Sequence, residues 1–134
     1  MFIIGGGSEI EKFEKLANEN IIFTQNISPE KIHLFFKVID LGVLPFIKIP
    51  FTDYAFPLKV LEYGASQKKV IATPLQELVY LNFPHLVLTE RKIENWVNAI
   101  KKEKNSIWNQ EWNEIIKKYN WNVIIQKLQK IIEG

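Results

Sequence analysis

Short apolar runs closed off by glycine, proline, asparagine or charge alternate with stretches whose apolar positions recur every three to four residues. The runs at 2–4, 21–24, 41–45, 69–73 and 86–88 read as five strands. Their apolar character on consecutive positions is that of parallel strands buried on both faces. Helical periodicity predicts helices over 9–17, 29–37, 57–66 and 75–81, and three more follow at 91–102, 107–119 and 121–132. The alternation predicts an α/β fold: a Rossmann-like, doubly wound, mainly parallel sheet of about five strands, with flanking helices and a helical C-terminal tail over 106–134. The reading is of one domain, 1–134, without repeats, low-complexity segments or an internal linker.

In such sheets ligands sit beyond the carboxyl ends of the strands. The chain after each strand is therefore where chemistry is sought: Gly5-Gly6-Gly7 after the first, Asn26 to Ser28 after the second, Pro45 to Phe56 after the third, and Thr73-Pro74 after the fourth. The glycines do not make a dinucleotide fingerprint, because Ile10 stands where a third glycine is needed and no acid follows about 20 residues on at a strand end. A tight strand-to-helix turn explains them as well as ligand contact does. The segment from Asp53 to Thr73 is richer. Pro57 suits the first position of a helix, where its missing N–H costs nothing. The unpaired amides and positive dipole end of that first turn, around Phe56, Pro57, Leu58 and Lys59, favour a phosphate. Glu62 follows about one and a half turns later, within reach of a ribose attached to it.

Composition narrows the function classes. No cysteine is present, which excludes disulfides, thiolate metal sites and a cysteine nucleophile. No apolar run approaches the ~18–20 residues that span a bilayer, and Met1 leads into an apolar strand rather than a basic leader, so a cytoplasmic location is expected. The net charge of +2 is too small for a nucleic-acid footprint. It is unevenly spread: residues 1–90 carry 8 Lys+Arg and 10 Asp+Glu, whereas 91–134 carry 9 and 5. All four tryptophans, Trp96, Trp108, Trp112 and Trp121, lie in that basic tail. Helix packing is the favoured explanation, with weak peripheral contact to an anionic membrane surface as the alternative. His33 and His85 have no partners at metal-ligand spacing, so no metal and no cofactor are expected.

Pro57-x-Lys59-x-x-Glu62-Tyr63-x-Ala65, followed by Val70-Ile71-Ala72, resembles a motif of the nucleotide-sugar-binding domain of GT-B glycosyltransferases, in the retaining group that carries E-x7-E. The glycine loop after the first strand, the second strand ending at Gln25-Asn26, and Val38 to Pro45 resemble the same domain in order and spacing, so nearly the whole chain is covered. The resemblance implies a donor site for a UDP- or GDP-linked sugar. Glu62 would hold the ribose, Lys59 and the amides near Phe56, Pro57 and Leu58 would face phosphate, and Gly5, Gly7, Asn26 and Ile27 would lie along the nucleotide. The first acid of E-x7-E falls at Tyr54, with Asp53 the nearest substitute. The family's additional first strand, its basic phosphate loop and its acceptor domain, which takes a glycan or lipid, have no counterpart among these residues. Isolated turnover is therefore not expected, and no catalytic residue is assigned.

Two residues keep plainer readings beside these: Lys59 as a surface lysine and Tyr54 as a residue closing its loop. The apolar loop 46–53 reads as a segment that moves over a donor or meets another domain. A second function class also stands. Because the strand missing from the family's order is the central one, the chain could be a non-catalytic module that pairs with another chain or with itself.

Overall fold

The computed structural model describes residues 1–133. It divides into two compact units, 1–37 and 38–134. All five expected strands form, and all of their pairings are parallel. They occur as two hydrogen-bonded groups, of two and of three strands. Alternating apolar runs specify the number of strands and their parallel sense, but strand order depends on contacts distant in sequence.

The first unit contains β1 (Phe2–Ile4), α1 (Ile10–Leu16), β2 (Ile22–Thr24) and most of α2 (Pro29–Val38). β1 pairs with β2 with Phe2 opposite Ile22 and Ile4 opposite Thr24. The Ile22 N–H donates to the Met1 carbonyl (2.8 Å) and the Gly5 N–H to the Thr24 carbonyl (3.3 Å). Odd-numbered residues therefore direct their backbone groups to β2, while those of Phe2 and Ile4 point to the opposite edge. Inside the unit the Phe2 and Phe35 rings meet edge to face, with centroids 6.0 Å apart.

The second unit begins with β3 (Leu41–Leu44) and continues through α3 (Pro50–Asp53), α4 (Lys59–Ala65), β4 (Lys69–Ala72), α5 (Gln76–Leu81), β5 (Leu86–Leu88), α6 (Ile93–Glu103), α7 (Trp112–Lys117) and α8 (Trp121–Glu133). Its strand order is β3-β4-β5. The middle strand has neighbours on both edges, and Val70, Ile71 and Ala72 are wholly buried, as a central parallel strand requires. Val60 from α4, Leu75 and Leu78 from α5 and its approach, and Phe83 complete the core. α5 stops at Asn82, which takes the left-handed conformation (φ 44°) that short polar side chains tolerate.

Two segments depart from the sequence reading. The loop 46–53 contains a helical turn, α3, nucleated by Pro50 at its start and by Thr52, whose hydroxyl oxygen accepts the Ile49 N–H at 3.0 Å. The helix expected over 107–119 is only Trp112–Lys117. Ahead of it Asn109 captures the Glu111 N–H (3.0 Å) and Trp108 Nε1 donates to Asn113 (3.0 Å), local side-chain bonds that compete with helix. Packing accounts for three of the tryptophans. Trp96 is half-buried, and Trp108 and Trp112, also half-buried, meet edge to face at 5.1 Å. Trp121, by contrast, is 74% exposed.

Candidate functional site

The expected binding residues fall in both units. In the first, Gly5 adopts φ +133°, which strongly favours glycine, as β1 ends and the chain turns toward α1. The Gly6 N–H donates to Asn26 Oδ1 at 2.9 Å, joining the two strand-end loops of this unit. A cleft of about 400 Å³ lies there, lined by Gly6, Ile10, Glu14, Gln25 and Asn26. Gly5 and Gly7 have nothing within 4 Å of where a side chain would begin, so the turn leaves open space beside its backbone. Ile27 is half-buried at the end of the second loop.

In the second unit the chain enters α4 through Phe56, Pro57 and Leu58. Phe56 is anchored to Phe83, with centroids 6.1 Å apart. The first helical donor is the Val60 N–H, which reaches the Pro57 carbonyl at 2.9 Å, followed by Leu61 and Glu62 N–H to Leu58 (2.9 and 3.2 Å). The amides of Leu58 and Lys59 precede that first donor, and Leu58 itself is exposed. One turn on, Lys59 Nζ donates to Glu62 Oε2 at 2.5 Å. Both side chains are more than a third exposed, so this is a solvated surface pair. The ammonium and the acid thus share one side of the helix, Lys59 two residues beyond Pro57 and Glu62 five. Neither residue lines the cleft beside Gly6 or the one beside Gly64.

Asp53 is engaged differently. Its Oδ1 accepts the Gln76 N–H at 2.9 Å at the start of α5 and lies 3.4 Å from Lys48 Nζ, which also donates to the Pro74 carbonyl at 3.3 Å. The carboxylate therefore ties the 48–53 segment to the start of α5. Tyr54, one residue on, is exposed.

Three glycine and histidine contacts that set α4 in place escaped the sequence reading. A Cβ on Gly42 would lie 2.9 Å from three atoms of the Tyr63 ring. One on Gly64 would lie 2.6 Å from Ile116 Cδ1 and 2.9 Å from His85 Nε2. His85 is fully buried and its Nε2 donates to the Val60 carbonyl at 3.0 Å, which leaves Nδ1 unprotonated and without a partner. Burial pushes its pKa below the ordinary histidine value, against the opposing pull of that hydrogen bond. Burial, reinforced by the neighbouring Glu62 charge, pushes the Tyr63 hydroxyl upward. The signal for these contacts was faint: a glycine inside a helix and another inside a strand, each costing stability unless something approaches closely.

A second cleft, of about 390 Å³, runs between α4 and α7 with the turn that follows α7, lined by residues including Leu61, Gly64, Asn113 and Tyr119. Among the described residues no cluster of His, Asp or Glu has the arrangement of a metal site. No helix among them is long and apolar enough to cross a membrane.

No solved structure matches the chain. A curated protein of Bacillus subtilis (strain 168), named "Putative teichuronic acid biosynthesis glycosyltransferase TuaH", is 25% identical over 124 residues, covering 87% of this chain. The chain spans about a third (31%) of that relative's length. The family model of glycosyl transferases group 1 matches residues 1–103, which takes in both units through the end of α6. This chain is a member of the glycosyl transferases group 1 family.

Proposed function

We propose that the chain supplies the donor-binding portion of a glycosyltransferase, taking a nucleoside diphosphate sugar linked to UDP or GDP. The family match is the observation that carries this reading. In the second unit Glu62 holds the ribose hydroxyls, while Lys59 and the first-turn amides near Phe56, Pro57 and Leu58 meet the diphosphate. In the first unit the Gly5 to Gly7 turn, Asn26 and Ile27 offer backbone and amide groups to the nucleotide. Tyr54 and Asp53 stand closest in sequence to the donor sugar's side of the motif. Transfer in such a site comes from orienting the sugar and stabilising the departing diphosphate, so positioning matters more than covalent chemistry. The acceptor, a glycan or lipid, is recognised by sequence outside these residues, and the 134-residue chain binds donor weakly and transfers nothing. The protein works at the cytoplasmic side of the cell. Calorimetric titration of the chain with UDP and GDP tests the reading: saturable binding of either supports it, and heat indistinguishable from dilution at millimolar nucleotide overturns it.

A second reading has its own observation. The backbone groups of Phe2 and Ile4 point to the edge away from β2, and the Phe2, Ile3 and Ile4 side chains are all exposed. A short apolar parallel strand with one covered edge favours pairing with another strand. On this reading the chain is an interaction module or subunit that associates with a partner chain or with itself. Size-exclusion chromatography separates the two: a monomer that binds nucleotide favours the donor reading, and an oligomer blind to nucleotide favours the module.

A further inference from the structure

We propose, on the donor-binding reading, that the cleft between α1 and the chain after β2 selects a guanine base through Glu14, which makes the donor a GDP-linked sugar. Its lining residues, Gly6, Ile10, Glu14, Gln25 and Asn26, all belong to the first unit. Its volume of about 400 Å³ falls within the roughly 300–1,000 Å³ of small-molecule sites. Ile10 and Glu14 stand four residues apart on α1, so one helix face brings an apolar side chain and a carboxylate to the cleft together. That carboxylate joins no ion pair among the described residues: Lys12 is taken by Glu9, and the other pairs lie in the second unit. Beyond β2 the amide of Asn26 is oriented by the Gly6 N–H, which donates to Oδ1 at 2.9 Å and leaves both Nδ2 protons for another acceptor. Gln25 adds a second amide.

An apolar side chain, an unpaired carboxylate and two amides match one base better than the others. Guanine presents N1–H and an N2–H as adjacent, parallel donors, the arrangement that a carboxylate accepts with both oxygens, as it does from a guanidinium. Beside them stands O6, an acceptor that an amide N–H of Asn26 or Gln25 serves. Uracil offers a single N3–H between two carbonyl oxygens, so the second carboxylate oxygen would meet a lone pair instead of a proton. Adenine offers an N6 amino group beside a bare N1, again one donor and one repulsion. The acid therefore acts in both directions, attracting the correct base and opposing the others. Ile10 gives the ring an apolar surface to lie against, which any base can use and which carries no selection.

The test is calorimetric titration of the 134-residue chain with GDP, UDP and inosine diphosphate. GDP is expected to bind about tenfold or more tighter than UDP, the discrimination that hydrogen bonds to a charged acceptor supply. Inosine diphosphate keeps N1–H and O6 but lacks the 2-amino group, and its affinity should fall between the two. Glu14→Gln should reduce the preference for GDP over UDP about tenfold. Glu62→Ala should instead weaken GDP and UDP in parallel and leave their ratio unchanged, because the ribose is common to both. Glu14 is exposed and unpaired, so the far-ultraviolet circular dichroism of Glu14→Gln should match that of the parent. UDP binding as tightly as GDP, inosine diphosphate matching GDP, or a GDP-to-UDP ratio unchanged by Glu14→Gln would each overturn guanine selection while leaving donor binding in place. Absence of binding by all three nucleotides would overturn both.

Discussion

Gly42 on β3 lies directly beneath the Tyr63 ring of α4, so close that a Cβ at position 42 would meet three ring carbons at 2.9 Å. The contact fixes how near α4 can come to its sheet, and with it where Glu62, the residue before Tyr63, is presented. Gly42 is buried in its strand, and the half-buried ring above it has little room to retreat. Gly42→Ala is therefore expected to destabilise the unit by about 1–3 kcal/mol through overpacking. All four tryptophans belong to this unit, so urea unfolding followed by tryptophan fluorescence reads its stability alone. An unchanged midpoint would mean that α4 shifts freely, and that the position of Glu62 is less firmly set than the contact implies.

His85 makes the stability of the same unit depend on pH in a defined sense. Its imidazole is neutral in the folded state because burial disfavours the charged form, whereas in the unfolded chain it titrates near the ordinary value of 6.5. The unfolded state therefore binds more protons below that value, and stability falls as pH is lowered through about 6.5. His85→Leu should flatten the slope between pH 7 and pH 5, while lowering stability throughout because the Val60 carbonyl loses its donor. A parent protein whose urea midpoint is constant over that range would show that the imidazole is solvated after all.

Lys69 at the start of β4 and Glu103 at the end of α6 form an ion pair of 2.7 Å in which the acid is nearly buried, and the ammonium also stands 5.5 Å from the Trp112 ring centroid. Removing one partner strands the other in a poorly solvated place, which typically costs about 3–5 kcal/mol. Glu103→Leu and Lys69→Met should each lower the urea midpoint sharply, and the double substitution should recover part of the loss. Additive losses in the double variant would show that the pair contributes no coupling.

The positions of the elements were largely legible in the sequence, because parallel strands and their helices carry strong local patterns. β1 and β5 begin and end where their apolar runs do, and α8 opens at Trp121 as its periodicity implies. The pairing of the strands into two groups was not, since nothing local tells Leu41 whether its far edge will find a partner. The start of α4 was read from Pro57, and the regular helix begins two residues later, at Lys59. The role of Asp53 was hidden for a similar reason: its carboxylate serves Gln76, more than twenty residues away. Periodicity also could not tell that the α8 stripe would face outward, because an exposed stripe and a buried one have the same spacing.

Glu62 offers the sharpest separation of fold from function. Its carboxylate pairs with Lys59, in an exposed pair of the kind that contributes about 0–1 kcal/mol, so Glu62→Ala should leave the urea midpoint almost where it was. If its carboxylate grips the ribose, the same substitution should weaken UDP or GDP binding by about tenfold or more, since two hydroxyls lose a charged acceptor worth roughly 1.5–3 kcal/mol. Lys59→Ala should weaken the nucleoside diphosphate more than the nucleoside, because the ammonium addresses phosphate alone. Calorimetry of the parent and both variants with uridine and UDP, and with guanosine and GDP, reads each term. Equal nucleotide affinity in parent and Glu62→Ala would remove the acid from the site and leave the Lys59–Glu62 pair as surface decoration on α4.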